Sequence, residues 1–263
     1  MQNNKYYISF MSYLPEMYYR TGWLVGASGG IGSVMAILLG KRCDKVFLVD
    51  KVNLSNKNLV KFSQPQFEFY QLDAANEQSF LEFANLSSKS QGLPEVLVIA
   101  AGTVFSKPLQ ETDLSTVDNL YKNNFRVATV VLQSFYQHCS HDPSHPKSIV
   151  IVSSNAGTVV RPNQPVYAAF KSAINSLARS LALSWGYLNI RINVIAPGTV
   201  WVERNDSSLR EKFPDFPEDP KRPLGRIALP EDLNHALDFL IHPQSLVTGQ
   251  IITVDGGSSL ATN

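Results

Sequence analysis

The chain has 263 residues, 44% of them hydrophobic and 17% charged, the balance of a globular protein with a sizeable core. A formal net charge of +1, with basic residues scattered rather than grouped, supplies no field for nucleic acid or an anionic membrane surface. Cys43 and Cys139 make no disulfide framework and no apolar run reaches the roughly twenty residues that span a bilayer, so the sequence reads as cytosolic, without membrane or nucleic-acid partners.

Residues 1–20 crowd Tyr6, Tyr7, Phe10, Tyr13, Tyr18 and Tyr19 around Pro15, without the charge and apolar pattern of a secretory signal. They read as an aromatic-rich arm, either untied or packed on the body or on a neighbouring subunit. A single domain is expected over 21–263. Residues 23–25 form a short apolar strand running into Gly26-Ala27-Ser28-Gly29-Gly30-Ile31-Gly32, and a helix follows from 31 to about 39, closed by Gly40. Strand, glycine turn and helix in that order meet the needs of a dinucleotide: backbone N–H groups can approach a pyrophosphate, and the helix N-terminus favours its charge. A second strand over 45–49 ends in Asp50, about twenty residues after the turn, where a carboxylate accepts hydrogen bonds from a ribose with free hydroxyls and repels a 2′-phosphate. Residues 67–72 alternate as a strand ending at Asp73, and 76–88 read as a surface helix capped by Asn76. Residues 96–100 form a continuous apolar strand closing on Ala101-Gly102, and a helical segment over about 113–138 contains Asn123-Asn124. Strand 148–152 delivers Ser153 and Ser154, helix 166–185 carries Tyr167 and Lys171, and strand 191–196 ends at Pro197-Gly198. Alternating strands and helices predict an α/β protein with a mostly parallel sheet and right-handed crossovers, its ligands at the C-terminal ends of the strands.

Within this frame Ser154, Tyr167 and Lys171 suggest chemistry. Residues four apart share a helix face, so Lys171 can reach the neighbourhood of the Tyr167 phenol. A phenol titrates near 10, and a nearby ammonium favours the phenolate, moving it toward useful acid–base chemistry. Ser154 adds a neutral donor for a carbonyl or alcohol oxygen.

These spacings resemble the classical short-chain dehydrogenases/reductases over roughly residues 20–260. The resemblance implies a doubly wound, Rossmann-type fold with helices on both faces of one sheet. It identifies 26–32 with the family's cofactor turn and Asp73 with the acid beside the adenine, Leu72 preceding it. Asn124, Ser154, Tyr167 and Lys171 match the catalytic tetrad, and Pro197-Gly198-Thr199-Val200 resembles the nicotinamide loop. Pro223-Leu224-Gly225-Arg226, Pro230-Glu231-Asp232 and the stretch from Thr248-Gly249-Gln250 through Val254-Asp255-Gly256-Gly257 resemble the C-terminal signature. Tyr167 would be general acid in reduction and base in oxidation. Lys171 would hold the nicotinamide ribose and lower the phenol's pKa, Ser154 would orient the substrate oxygen, and Asn124 would support a water in a proton relay. Asp50, with Gly29 where NADP-preferring relatives often carry a basic residue, implies NAD(H) rather than NADP(H). The expected substrate is a small-molecule secondary alcohol or ketone, and pairing of the long helices implies a dimer or tetramer. Three departures bear on cofactor binding: Val25 for Thr, Ile99-Ala100-Ala101-Gly102 for Asn-Asn-Ala-Gly, and Val202 for a Thr that commonly bonds the carboxamide.

Residues 203–222, mixing charge with Phe213, Pro214, Phe216 and Pro217, are expected to form a substrate lid, or else a plain surface loop. His138, Cys139, His141 and His145 lack regular ligand spacing and read as an exposed loop rather than a metal site. Two other functions fit parts of the pattern: a nucleotide-binding regulatory protein with weak or no turnover, and an NADPH-dependent ketoreductase of the fatty-acid or polyketide type.

Overall fold

A computed structural model describes residues 18–54, 56–212, 217–220 and 222–260. Seven parallel strands form one sheet in the order β3-β2-β1-β4-β5-β6-β7. In chain order they are β1 (Tyr19–Val25), β2 (Cys43–Asp50), β3 (Phe67–Gln71), β4 (Val96–Ile99), β5 (Lys147–Val152), β6 (Ile190–Pro197) and β7 (Ile251–Val254). The main helices are α1 (Gly30–Leu39), α2 (Asn56–Lys61), α3 (Glu77–Gln91), α4 (Leu114–Leu120), α5 (Val127–His138), α6 (Pro165–Trp185), α7 (Asp206–Lys212) and α8 (Asp232–Ile241).

Period-two alternation sends the strand side chains to two cores. Trp23, Phe47, Leu97, Ile149 and Ile192 face α3, α5 and α6. Leu24, Leu48, Val98 and Val150 share the opposite core with α1 and α8. On the first face Trp23 packs against Phe80, Phe83 and Phe135 at ring-centroid separations of 6.0, 5.2 and 6.0 Å. Every residue of β4, β5 and β6 is buried, as expected of parallel strands covered on both faces.

Asn76 caps α3 by accepting from Ser79 N–H at 3.0 Å, in keeping with the sequence. Two expectations need correction. The predicted boundary at residue 20 falls inside β1, because Tyr19 is buried and its hydroxyl donates to Ile241 O at 2.7 Å. Tyr18 stacks edge-on with His242 and lies under the Arg42 guanidinium. The other arm aromatics lie outside the described residues. Second, the predicted helix over 113–138 is divided by a π-helical turn, Tyr121–Arg126, between α4 and α5.

The C-terminal end of α8 is held by buried polar side chains. Arg191 donates to Leu240 O (2.6 Å) and His242 O (3.0 Å), and Ser148 Oγ donates to Leu240 O (3.1 Å). The negative end of the helix and its otherwise unpaired carbonyls therefore stabilise a buried guanidinium. Arg191→Met removes the side-chain donor to His242 O and leaves Leu240 O with Ser148 alone, and should lower the unfolding free energy by about 1–3 kcal/mol. Urea denaturation should show a reduced midpoint at unchanged slope, whereas a loss under about 0.5 kcal/mol would mean that other groups cap this end.

Candidate active site

The strand order reverses between β1 and β4, opening a crevice at the C-terminal edge of the sheet. Gly26, which leaves β1 there, has φ +94, and a Cβ on it would lie 2.5 Å from Ala101 N. Only glycine fits that conformation against the end of β4. Ala100 N–H donates to Val25 O at 2.8 Å, a backbone bond that ties the end of β4 to the end of β1. Gly29 caps α1 without a side-chain bond, leaving the first-turn N–H groups open to an anion. This glycine turn fits a dinucleotide pyrophosphate. Val202 lies against the side of Gly30 where a Cβ would project, presenting an isopropyl group in place of a hydroxyl.

Asp50 stands at the end of β2 beside the turn. Its carboxylate accepts from Ser28 N–H (2.9 Å) and Val52 N–H (3.1 Å), which fixes its direction and leaves lone pairs for ribose hydroxyls. Leu72 N–H donates to Asp50 O at 2.9 Å. Asp73 is paired with Lys122 at 2.8 Å and accepts from Ala75 N–H at 3.0 Å. Burial opposes its ionisation most strongly, but Lys122, the Ala75 amide and Lys51 outweigh it and hold the carboxyl below its usual range. Lys122 as the partner of Asp73 was missed in the sequence, because the contact joins β3 to the π turn.

The π turn also carries Asn124. Its Nδ2 donates to Leu120 O and Thr103 O, each at 3.0 Å, while its buried Oδ1 has no hydrogen-bond partner. A Cβ on Gly102 would lie 2.9 Å from that Oδ1 and 3.2 Å from Lys171 Nζ, so the strand end, Asn124 and Lys171 converge on one point. Ser154 begins the turn after β5, its Oγ accepting from Ala156 N–H at 3.1 Å. Tyr167 and Lys171 sit on α6, with Nζ 5.6 Å from the centre of the Tyr167 ring and donating to Val152 O at 3.4 Å. The structure thus brings Asn124, Ser154, Tyr167 and Lys171 to one corner of the crevice.

The electrostatics differ from expectation. Burial pushes the Tyr167 phenol above its ordinary value, and a side-chain hydrogen bond with Ser154 lowers it by less. Lys171 is 4% exposed, and burial lowers its pKa to about 8. Burial thus acts on both groups against their charged forms, and for the phenol it outweighs the lowering by Ser154.

Pro197 ends β6 and Gly198, Thr199 and Val200 follow it, and Asp255 Cβ lies 2.6 Å from the Cβ position of Gly198. Asp255 accepts from Asn155 Nδ2 (3.3 Å), Gly257 N–H (2.9 Å) and Ser259 N–H (2.8 Å), so the end of β7 holds both this loop and the Ser154 turn. Arg226 pairs bidentately with Asp232, both bonds at 2.7 Å, at the start of α8. In the expected lid, Glu203–Asn205 is a 3₁₀ turn followed by α7, and Phe213, Pro214 and Phe216 lie outside the described residues. His138 Nδ1 bonds Ser134 O, His141 Nε2 bonds Tyr136 O, and His145 faces Asp142; among the described residues no group of metal-binding side chains forms. No helix among them is long and apolar enough to cross a membrane.

A doubly wound sheet with a glycine turn at its crevice is the architecture of a nucleotide-binding domain. A family described as enoyl-(acyl carrier protein) reductase matches residues 26–259. A chloroplastic tropinone reductase homologue of Arabidopsis thaliana is 34% identical over 191 residues, 72% of this chain, which spans 58% of that relative's length. A hydroxynaphthalene reductase-like protein of Metarhizium majus is 28% identical over 260 residues, covering 89% of this chain and 93% of its own. Among solved structures, ElxO with NADP bound superposes with TM-score 0.81 at 24% identity, over 92% of this chain and 99% of its own. A gluconate 5-dehydrogenase from Burkholderia cenocepacia, in complex with NADP and tartrate, gives TM-score 0.81 at 23% identity, over 92% and 96%. The chain belongs to the classical short-chain dehydrogenase/reductase family.

The buried Lys171 makes a pH prediction. Its folded value of about 8 lies below the ordinary 10.5, so its cost to the fold is fully present below about pH 8 and fades as pH rises toward 10.5. Lys171→Met should therefore be stabilised relative to wild type near neutral pH. That advantage should shrink by roughly 2–3 kcal/mol between about pH 7 and pH 10 in chemical denaturation. A difference independent of pH would mean that the ammonium is not desolvated.

Proposed function

We propose that the protein is an NAD(H)-preferring oxidoreductase that interconverts a secondary alcohol and a ketone on a small or medium-sized molecule. The observation that carries this reading is the convergence of the buried Lys171 Nζ and Asn124 Oδ1 on Gly102, with the Tyr167 ring 5.6 Å from that Nζ. The bound nicotinamide supplies the hydride. The turn formed by Gly26, Ser28, Gly29, Gly30, Ile31 and Gly32 would hold the pyrophosphate, and Asp50 the adenosine ribose. Leu72 and Asp73 would border the adenine, Ala100, Ala101 and Gly102 would line the floor, and Pro197, Gly198, Thr199 and Val200 would close over the nicotinamide. In reduction Ser154 donates to the carbonyl oxygen and holds it at the Tyr167 hydroxyl, which gives up its proton as the oxygen becomes an alkoxide. The unpartnered Asn124 Oδ1 supports a water through which that proton is replaced. In oxidation Tyr167 accepts the proton instead.

NADP, which ElxO and the gluconate 5-dehydrogenase hold, carries a 2′-phosphate that the Asp50 carboxylate would repel. The free, buried thiols of Cys43 and Cys139 suit a reducing, cytosolic setting, and α4–α5 and α6 are the faces that would pair in a dimer or tetramer. One observation favours the regulatory alternative: the Val202 isopropyl lies against Gly30 and offers a cofactor no hydrogen bond.

Two variants test the proposal. Tyr167→Phe should lower turnover about 10²–10⁴-fold while NADH affinity stays within about twofold, and near-normal turnover would remove Tyr167 from its role. Asp50→Ala should narrow the preference for NADH over NADPH by about tenfold or more, since a phosphate near 4 Å from a carboxylate costs roughly 1–4 kcal/mol. An unchanged preference would contradict the part given to Asp50.

A further inference from the structure

Ser154 and Tyr167 must meet at hydrogen-bond distance, yet they come from different elements. Ser154 opens the turn after β5, and Tyr167 stands near the start of α6. The loop between them includes Val160, 90% exposed, and its side-chain bonds from Thr158 and Arg161 return to Asn155 rather than reaching α6. The register is held one helical turn further along. Ser153 Oγ donates to Lys171 O at 3.3 Å, and Lys171 Nζ returns a bond to Val152 O at 3.4 Å. Ser172 Oγ and Asn175 Nδ2 both donate to Gly157 O, at 3.0 and 3.3 Å. Lys171, Ser172 and Asn175 lie within one turn of α6, so this helix segment faces the turn that carries Ser154. Contact is close enough to exclude any side chain at Gly157: a Cβ there would lie 2.8 Å from Asn175 Nδ2 and 2.9 Å from the Lys171 carbonyl carbon.

Asn175 is the buried donor of the pair, 5% exposed, and its Oδ1 has no partner. A half-satisfied buried amide is worse for stability than an apolar side chain of similar size. Packing alone would be served better by leucine.

We propose that Asn175 is a positioning residue for the reaction: through the Gly157 carbonyl it fixes the Ser154 turn to α6 and so sets the approach of the Ser154 hydroxyl to Tyr167. The proposal rests on the roles given above to Ser154 and Tyr167. Gly157 and Ser153 belong to the same brace, and Asn175 itself touches no reacting group.

The test compares wild type with Asn175→Leu, Ser154→Ala and the double variant in steady-state reduction across pH. Asn175→Leu should lower kcat about ten- to a hundredfold with cofactor affinity unchanged, the size of effect expected of a misplaced catalytic group. The pH limb assigned to Tyr167 should move upward, because the bond with Ser154 draws that phenol down. In the Ser154→Ala background the same substitution should have no further effect. A limb that stays in place, or losses that multiply in the double variant, would overturn the proposal and leave Asn175 a structural residue. Gly157→Ala, which pushes the turn from α6 through the same contact, should reproduce the loss and the shift; it keeps the test open if Asn175→Leu does not fold, and wild-type behaviour of Gly157→Ala would also overturn the proposal. Unimpaired turnover in Ser154→Ala removes the underlying reading of Ser154 and the proposal with it. Impaired Ser154→Ala with unimpaired Asn175→Leu overturns the proposal alone.

Discussion

The reversal of strand order between β1 and β4 is the constraint on which the rest depends. Crossovers to either side of that point lead the chain to opposite faces of the sheet, and the crevice left between them is closed by backbone alone. Gly26 turns away from the sheet with its backbone against Ala101, at a spacing that admits no side chain. The strands then end nearly level. Val25 pairs with Ile99, Ile99 with Ile151, Val152 with Ile195 and Pro197 with Val254, so the glycine turn, Gly102, Ser154 and Gly198 emerge along one edge. Parallel pairing and register gather the site without any of its residues being adjacent in the chain.

At that edge function works against stability. Lys171 is enclosed with a single carbonyl bond, and its charged form is disfavoured. Asn124 and Asn175 each keep a buried acceptor without a partner. Unpaired polar groups in a low-dielectric setting are costly, and two of them stand in the corner that holds Tyr167. Burial explains why the Tyr167 phenol lies above, not below, its ordinary value in the protein alone. In the proposed reaction a proton donor at Tyr167 would therefore depend on how firmly the Ser154 turn is held against α6.

Much of this was legible in the sequence because parallel strands buried on both faces write continuous apolar runs: 96–100, 148–152 and 191–196 fall on β4, β5 and β6 within a residue or two. The glycine turn and the positions of Asp50 and Asp73 were legible for a different reason, since backbone approach and strand ends demand particular residue types. The π turn was not, because a single wide turn within a helix has no composition of its own, and it is this turn that sends Asn124 inward. Tyr19 looked like part of an aromatic arm because its burial comes from the end of α8, far away in sequence. The contact between Gly157 and Asn175 was invisible for the same reason. Lys171 illustrates the limit best: its spacing from Tyr167 was readable, but its burial, which governs its charge, belongs to the packed structure.

The measurement that bears most directly on this account is titration of the purified protein with NADH and with NADPH, followed by nicotinamide fluorescence. Saturable enhancement with NADH and a much weaker response to NADPH are expected if the glycine turn and Asp50 act as described. Tighter binding of NADPH would contradict the reading of Asp50. No response to either would contradict the central claim, and would mean that the apolar contact of Val202 with Gly30 has closed the site to a nicotinamide cofactor.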